Sequence, residues 1–187
     1  MPLEVEVKLK IDSHESVRER LKVLEAKYLG RVLETNHIFD TSDRTLQAAD
    51  KGLRVRVCRT DTGQIERATL TVKGPRIDSA FKSRHEIDTT VGDPEAMLAM
   101  LDELGFVEAV RFEKWRESWQ QDACRIELDE LPHLGRYVEI EGPDEVAIHE
   151  MQRLVGLANL SHEPKGYVAL LVDYCRGHDL PSVPIRF

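Results

Sequence analysis

The chain has 187 residues, 41% of them hydrophobic and 32% charged, and 26 Lys and Arg stand against 34 Asp and Glu for a net charge of −8. That length fits a single domain of roughly 100–200 residues, and charge of mixed sign over an ample apolar share argues against wholesale disorder. The acidic balance excludes general coating of a nucleic-acid duplex, which needs a basic excess, but a local basic cluster can still hold an anion.

The first ten residues carry charges inside their apolar pattern, unlike a signal peptide. No apolar run approaches the ~20 residues of a membrane helix. Cys58, Cys124 and Cys175 are odd in number and widely spaced, which fits free thiols in a reducing cytosol. A cytoplasmic protein with no membrane partner is expected. The seven histidines lack paired metal-ligand spacing and read as structural.

Along the chain, Leu3, Val5, Val7, Leu9 and Ile11 alternate with Glu4, Glu6, Lys8 and Lys10, the period of a strand. Asp12 or Ser13 then caps a helix with Val17, Leu21, Leu24 and Tyr28 on one side, ending near Gly30. Leu53, Val55 and Val57 oppose Arg54 and Arg56 on a further strand, and Lys73 opposes Leu70 and Val72. Lys82, Arg84, Glu86 and Asp88 share a face. Asp93-Pro94 opens a helix through Met97, Leu98, Leu101 and Leu104 that stops at Gly105. Lys114 and Arg116 oppose Trp115 and Trp119; Arg125, Glu127 and Asp129 oppose Ile126 and Leu128; Tyr137, Glu139 and Glu141 oppose Val138 and Ile140. A helix from Asp144 uses Ile148, Met151, Leu154 and Val155, and a short one follows Gly166 from Tyr167 to Cys175. The domain spans 1–175, and the tail 176–187, with Pro181 and Pro184, reads as irregular. A charged strand, a helix ending in Leu-Gly and another strand recur around 3–40 and 82–119, a hint of internal duplication on which no conclusion rests.

Taken singly, each strand is an ordinary antiparallel strand with one wet face. Together they carry long charged groups on nearly every polar face, acids and bases on different strands. A closed antiparallel barrel, with helices on its apolar outside and charges pointing into a wet lumen, accommodates both faces and leaves no sheet edge. The bases Lys8, Arg54, Arg56, Lys73, Arg84, Lys114, Arg116 and Arg125 would suit a multiply charged phosphate ligand. Carboxylate pairs at i and i+2 (Glu4/Glu6, Glu127/Asp129, Glu139/Glu141) suit a hard divalent cation, and a cation between acids and polyanion relieves their repulsion.

Glu4-Val-Glu6-Val-Lys8 resembles the ExExK signature of the CYTH family, the triphosphate tunnel metalloenzymes. The resemblance continues through Phe39-Asp40-Thr41, Leu53-Arg54-Val55-Arg56, Leu70-Thr71-Val72-Lys73-Gly74-Pro75, Lys82-Ser83-Arg84-His85-Glu86, Lys114-Trp115-Arg116 and Leu134-Gly135-Arg136-Tyr137-Val138-Glu139-Ile140-Glu141, ending near Lys165-Gly166-Tyr167. It implies an α+β fold, a closed eight-stranded antiparallel barrel with a charged lumen, and a homodimer. It also implies binding of a triphosphate-bearing small molecule (tripolyphosphate, ATP or thiamine triphosphate) with Mg2+ or Mn2+. Carried onto this chain, Arg54, Arg56, Lys73, Arg84, Lys114, Arg116 and Lys165 would bind substrate. Glu4, Glu6, Glu127, Asp129, Glu139 and Glu141 would hold metal, and Glu4, Glu6, Lys8 and Lys73 would be catalytic. Hydrolysis of the triphosphate ranks first, because no element reads as an adenine pocket. A class IV adenylyl cyclase making cyclic AMP is the alternative, and a non-catalytic polyphosphate or nucleotide binder is a further one. The chain departs from the family pattern at Phe39, where a Tyr is common, at Trp119, where a Tyr is frequent, and at Gly166, where a Ser often precedes the Tyr.

Overall fold

The structure, a computed structural model, describes residues 3–77, 82–180 and 184–187; the side chains of residues 3, 4, 76, 77, 82 and 83 lie outside that description. In chain order the elements are β1 (Leu3–Ile11), α1 (Glu15–Val23), β2 (Lys27–Asp40), α2 (Thr45–Ala48), β3 (Gly52–Arg59), β4 (Ile65–Ile77), β5 (Lys82–Thr90), α3 (Pro94–Glu103), β6 (Val107–Gln121), β7 (Cys124–Leu131), β8 (Gly135–Gly142), α4 (Glu145–Leu154) and α5 (Tyr167–Gly177).

The strands form a closed ring in the order β1-β5-β4-β3-β2-β6-β7-β8. β1 closes it, pairing antiparallel with β5 on one side, Glu4 opposite Arg84, and with β8 on the other, Lys8 opposite Glu139. Every strand therefore pairs with two neighbours. The hint of duplication has a counterpart here. Advancing each strand number by four turns the run β5-β4-β3-β2 into β1-β8-β7-β6, and the two halves meet where β1 pairs with β5 and β2 with β6.

Burial explains the alternation. On the outside, Val5, Val7, Leu9, Ile126, Leu128, Val138 and Ile140 pack with Val17 and Leu21 of α1 and Ile148 and Met151 of α4. Across the ring, Phe39, Leu53 and Val55 pack with Leu101 of α3. Each such aliphatic side chain, fully buried, contributes about 1.5–3 kcal/mol. Gly142 permits the tight seat of α4, since a Cβ there would lie 2.9 Å from Ile148 Cγ1.

The helix signals are local and act as read. The Asp93 side chain accepts from Ala96 N at 3.0 Å with Pro94 in the first turn, and Asp144 accepts from Ala147 N at 2.9 Å. α1 differs: its N-cap is His14 and not Asp12 or Ser13, with no side-chain cap hydrogen bond, and it stops at Val23, not near Gly30. Glu25 takes a left-handed φ of 54°, and Tyr28 joins β2 opposite Trp119. Pairing along the long β2–β6 ladder outweighs the helical spacing of Tyr28. α2 was not anticipated. It exists because the Asp40 carboxylate accepts from the backbone N–H groups of Thr41, Leu46 and Gln47 at 2.8, 2.9 and 3.0 Å.

One end of the barrel is not wet. Val110 and Phe112 on β6, Leu131 on β7 and Tyr137 on β8 share the alternation of the lumen charges, yet they are buried in an apolar cluster with Tyr167, Leu171 and Cys175 of α5 and Ile185. Ile185 also hydrogen-bonds β6 on both sides, from its N to Arg111 O at 2.8 Å and from Glu113 N to its O at 2.9 Å. α5 and the segment around Ile185 thus cork this end of the barrel; Pro181 lies outside the described residues.

Candidate functional site

Strand alternation turns the charged residues of the eight strands inward, and the closed ring brings them face to face. The β1, β2, β6, β7 and β8 wall is the more deeply buried. Lys8 is 2% exposed, Lys114 1% and Asp129 0%. Asp129 is the hub. It accepts from Arg116 Nε and Nη2 at 2.8 and 2.7 Å, from Lys114 Nζ at 3.0 Å and from the Tyr167 hydroxyl at 2.9 Å. Arg116 also reaches Glu139 at 2.5 Å, and Lys8 pairs with Glu139 at 3.3 Å. Glu127 accepts from Ser118 Oγ and Arg125 Nε, both at 2.5 Å.

Glu34 on β2 completes this wall. Its carboxylate lies 3.1 Å from Arg56, 3.3 Å from Lys114 and 3.8 Å from Arg116. The β3, β4 and β5 wall is less buried. There Lys73 pairs closely with Glu86, Arg84 with Asp50 at 3.2 Å, and Arg54 donates to Thr71 Oγ1 at 3.2 Å.

Burial raises the Glu34 carboxyl, but Arg56, Lys114, Arg116 and Arg54 outweigh it and hold it well below the usual carboxylate range. Because its folded pKa is depressed, Glu34 contributes fully above the unfolded value of about 4.3 and loses that contribution as pH falls toward its folded value. Glu34→Gln, which cannot titrate, should therefore show a shallower fall in urea midpoint than the parent between about pH 5 and about pH 3.5; an identical fall would refute this. Burial and repulsion from Arg56 bring Arg54 down to about 10, with Arg116 adding to the push. Glu34 and Glu86 favour the charged form but do not offset burial and the neighbouring guanidinium groups.

The opposite holds near Glu141. Burial first, then the charges of Glu6, Glu139 and Glu127, raise its carboxyl to about 7 in spite of Arg116. Glu6 lies directly opposite Glu141 across β1 and β8, and Glu127 opposite Glu139 across β7 and β8; like charges so placed repel. A hard, all-oxygen donor set under mutual repulsion fits Mg2+ or Mn2+. Among the described residues no group of three or more His, Cys, Asp or Glu is assembled to hold a metal alone.

The fold thus brings Glu6, Lys8, Arg54, Arg56, Lys73, Arg84, Lys114, Arg116, Glu127, Asp129, Glu139 and Glu141 onto one inner surface. The Glu4 side chain lies outside the described residues. Lys165 stands apart: its exposed ammonium pairs with Asp173 at 2.8 Å, and it is its carbonyl that accepts from Lys8 Nζ at 3.2 Å. Glu127 and Asp129, expected at metal, are engaged by arginine, lysine and hydroxyl donors. Sequence reading missed Glu34, Asn36 and Tyr167. The alternation of Glu34, Asn36 and Ile38 against Thr35 and His37 was the available signal for the first two.

A family model for the CYTH domain matches residues 2–167. The chain belongs to the CYTH family. It is 30% identical over 167 residues to MJ0240 of Methanocaldococcus jannaschii, a protein named as a candidate adenylate cyclase, covering 86% of this chain and 92% of that one. The solved structure of PH1819 from Pyrococcus horikoshii OT3 matches with a TM-score of 0.77 at 26% identity, over 91% of this chain and 99% of that one. HpAC1 from Hippeastrum, described as a candidate adenylyl cyclase with a dominant triphosphatase activity, shares the fold with a TM-score of 0.70 at 18% identity, over 91% and 96% of the two chains.

Within this CYTH chain the three departures have local explanations. Phe39 is buried among Leu53, Val55 and Leu101, where a hydroxyl would lack water. Trp119 satisfies its indole N–H on Glu117 at 2.8 Å. Gly166 at the N-cap of α5 provides no side-chain cap, a loss of only a few tenths of a kcal/mol relative to Ser.

Proposed function

We propose that this protein is a divalent-metal-dependent triphosphatase that takes a triphosphate into the barrel lumen and hydrolyses it. The observation that carries the reading is the convergence of Arg54, Arg56, Lys73, Lys114 and Arg116 on one inner surface of the barrel, with the buried Nε–H of Arg54 lacking a hydrogen-bond partner among the described residues. Arg54, Arg56, Lys73, Arg84, Lys114 and Arg116 bind and neutralise the phosphate chain, guanidinium groups by two-pronged hydrogen bonds and ammonium groups as point charges. Lys8 joins them from β1. Glu4, Glu6, Glu139 and Glu141 would hold Mg2+ or Mn2+. The cation, when bound, supplies Lewis-acid neutralisation of those oxygens. Water attacks the terminal phosphorus, the bridging P–O bond breaks, and orthophosphate leaves alongside a diphosphate. Positioning and charge neutralisation carry such a transfer.

The corked end supports a small substrate, since a chain can enter and leave only away from α5. The second reading, conversion of ATP to cyclic AMP and pyrophosphate, is favoured by the name of the 30%-identical archaeal relative; the dominant triphosphatase activity in the description of HpAC1 favours hydrolysis. The test is product analysis with ATP and tripolyphosphate supplied separately with Mg2+ or Mn2+. Orthophosphate from tripolyphosphate at a higher kcat/KM than from ATP is expected; cyclic AMP with pyrophosphate would reverse the ranking. A barrel with no ligand would fail an independent check: tripolyphosphate with Mg2+ at 100 times its Kd should stabilise by about 2.7 kcal/mol.

A further inference from the structure

Two buried hydrogen-bond donors inside the lumen have no hydrogen-bond partner among the described residues. Asn36 on β2 is 0% exposed. Its Oδ1 accepts from Arg56 Nε at 2.8 Å. That bond fixes the amide, because reversing it would set an NH2 against an N–H. The two hydrogens of Nδ2 are then left without a hydrogen-bond partner among the described residues. On the neighbouring strand the Nε–H of Arg54 is buried and likewise without one. Asn36 lies opposite Arg56 and Ile38 opposite Arg54 in the β2–β3 register, so Asn36 and Arg54 are diagonal neighbours on the inner face.

A buried donor left unsatisfied costs about 1–3 kcal/mol, and most such groups in folded proteins are paired. Thr71 Oγ1 takes a bond from Arg54 Nη2 and gives one to Asp88. Glu34 pairs with Arg56 and Lys114 at 3.1 and 3.3 Å, but its buried Oε2 has no hydrogen-bond partner among the described residues, and neither orphan donor reaches it. What the two donors lack is an acceptor within reach that brings no proton of its own. A water molecule would satisfy the two donors and then need acceptors for its own two hydrogens. A phosphoryl oxygen has lone pairs, negative charge and no hydrogen.

The geometry points to Asn36 as a substrate-binding residue, its Nδ2 and the Nε of Arg54 together forming a two-donor seat for one non-bridging oxygen of the bound phosphate chain. The assignment rests on the lumen being a triphosphate site and adds a residue to it. It also explains why a neutral amide stands here. A carboxylate would serve Arg56 equally well as an acceptor, but its charge would answer Arg54 from within the protein and take the place of the ligand.

The test is Asn36→Asp, nearly the same size, with Arg54→Met and the double variant. Binding of tripolyphosphate is measured by titration calorimetry with and without Mg2+, and stability by thermal melting. Asn36→Asp should keep or raise Tm and weaken tripolyphosphate binding about 30-fold or more, the worth of one charge-assisted hydrogen bond exchanged for a repulsion. In the Arg54→Met background the same change should weaken binding by much less, because the seat is already broken. Asn36→Asp binding within about threefold of the parent, or a lowered Tm with unchanged binding, would overturn the seat while leaving the lumen reading intact. A parent protein that gives no heat with tripolyphosphate under either condition would overturn the lumen reading and the seat with it.

Discussion

Arg116→Met should be the most destabilising single substitution in the lumen, lowering stability by about 3–5 kcal/mol, or roughly 6–20 °C in Tm for a chain of this size. Arg116 is 9% exposed. It holds Asp129 by two hydrogen bonds, reaches Glu139 at 2.5 Å and lies 3.8 Å from both Glu34 and Glu127. Burial works against its charge, yet Asp129, Glu127 and Glu34 hold its guanidinium well above its ordinary pKa. Methionine fills similar space and leaves the carboxylates without that cation. The cost comes from stranding buried charge, and the intact pair is not itself a large net gain. Arg116→Lys should fall between the two, since it keeps the charge and loses the fork that grips Asp129 on two oxygens. Urea denaturation of the three proteins measures this. A methionine variant within about 0.5 kcal/mol of the parent would remove the network as a structural element.

The paired change Glu6→Gln with Glu141→Gln should act in the opposite sense. Removing two acids that face one another across β1 and β8 relieves repulsion, so Tm should hold or rise. Turnover of tripolyphosphate should fall by a factor on the order of 10²–10³, the several kcal/mol that a Lewis-acid cation contributes to phosphoryl transfer. Binding of tripolyphosphate without metal should persist, because Arg54, Arg56, Lys73 and Lys114 are untouched, while the further rise in Tm on adding Mg2+ should vanish. Steady-state kinetics and melting with and without Mg2+ separate these outcomes. Full turnover in the double variant would remove these carboxylates from the reaction.

The two substitutions expose a division in the lumen that one-dimensional patterning conceals. Glu139 and Glu127 read alike on their strands, and both turn out to be shared with Arg116 or Arg125. Glu6 and Glu141 oppose each other, and the Glu141 carboxyl is driven up to about 7. Which acids answer bases and which crowd one another depends on strand order around the ring, and that order is set by long-range pairing. Lys165 makes the same point. Motif position groups it with the substrate-binding bases, but α5 supplies Asp173 within 2.8 Å, and its ammonium turns there.

Tyr167 was read as opening the last helix and as closing the motif Lys165-Gly166-Tyr167, with no contact assigned to it. Its ring lies 3.7 Å from Lys8 Nζ and 5.0 Å from Lys114 Nζ, and its hydroxyl donates to Asp129. No spacing along the chain reveals that contact, because residue 167 and residue 8 are brought together only when α5 folds across the end of the barrel.

Features governed by near neighbours were legible along the chain. A period of two placed Arg54 and Arg56 on one face and Leu53, Val55 and Val57 on the other. Asp93-Pro94 and Asp144 started their helices with their own side chains, and ordered motifs from Glu4 to Tyr167 marked the family. Features set by partners far apart in the chain emerged only on folding. The ladder between β2 and β6 ended α1 at Val23. An apolar plug built from α5 and Ile185 closed one end of the lumen, and ring closure surrounded Glu34 with three cations while leaving Asn36 Nδ2 and Arg54 Nε without acceptors among the described residues. Local periodicity specifies which way a side chain points; the groups it then meets are fixed by the pairing energy of the whole ring.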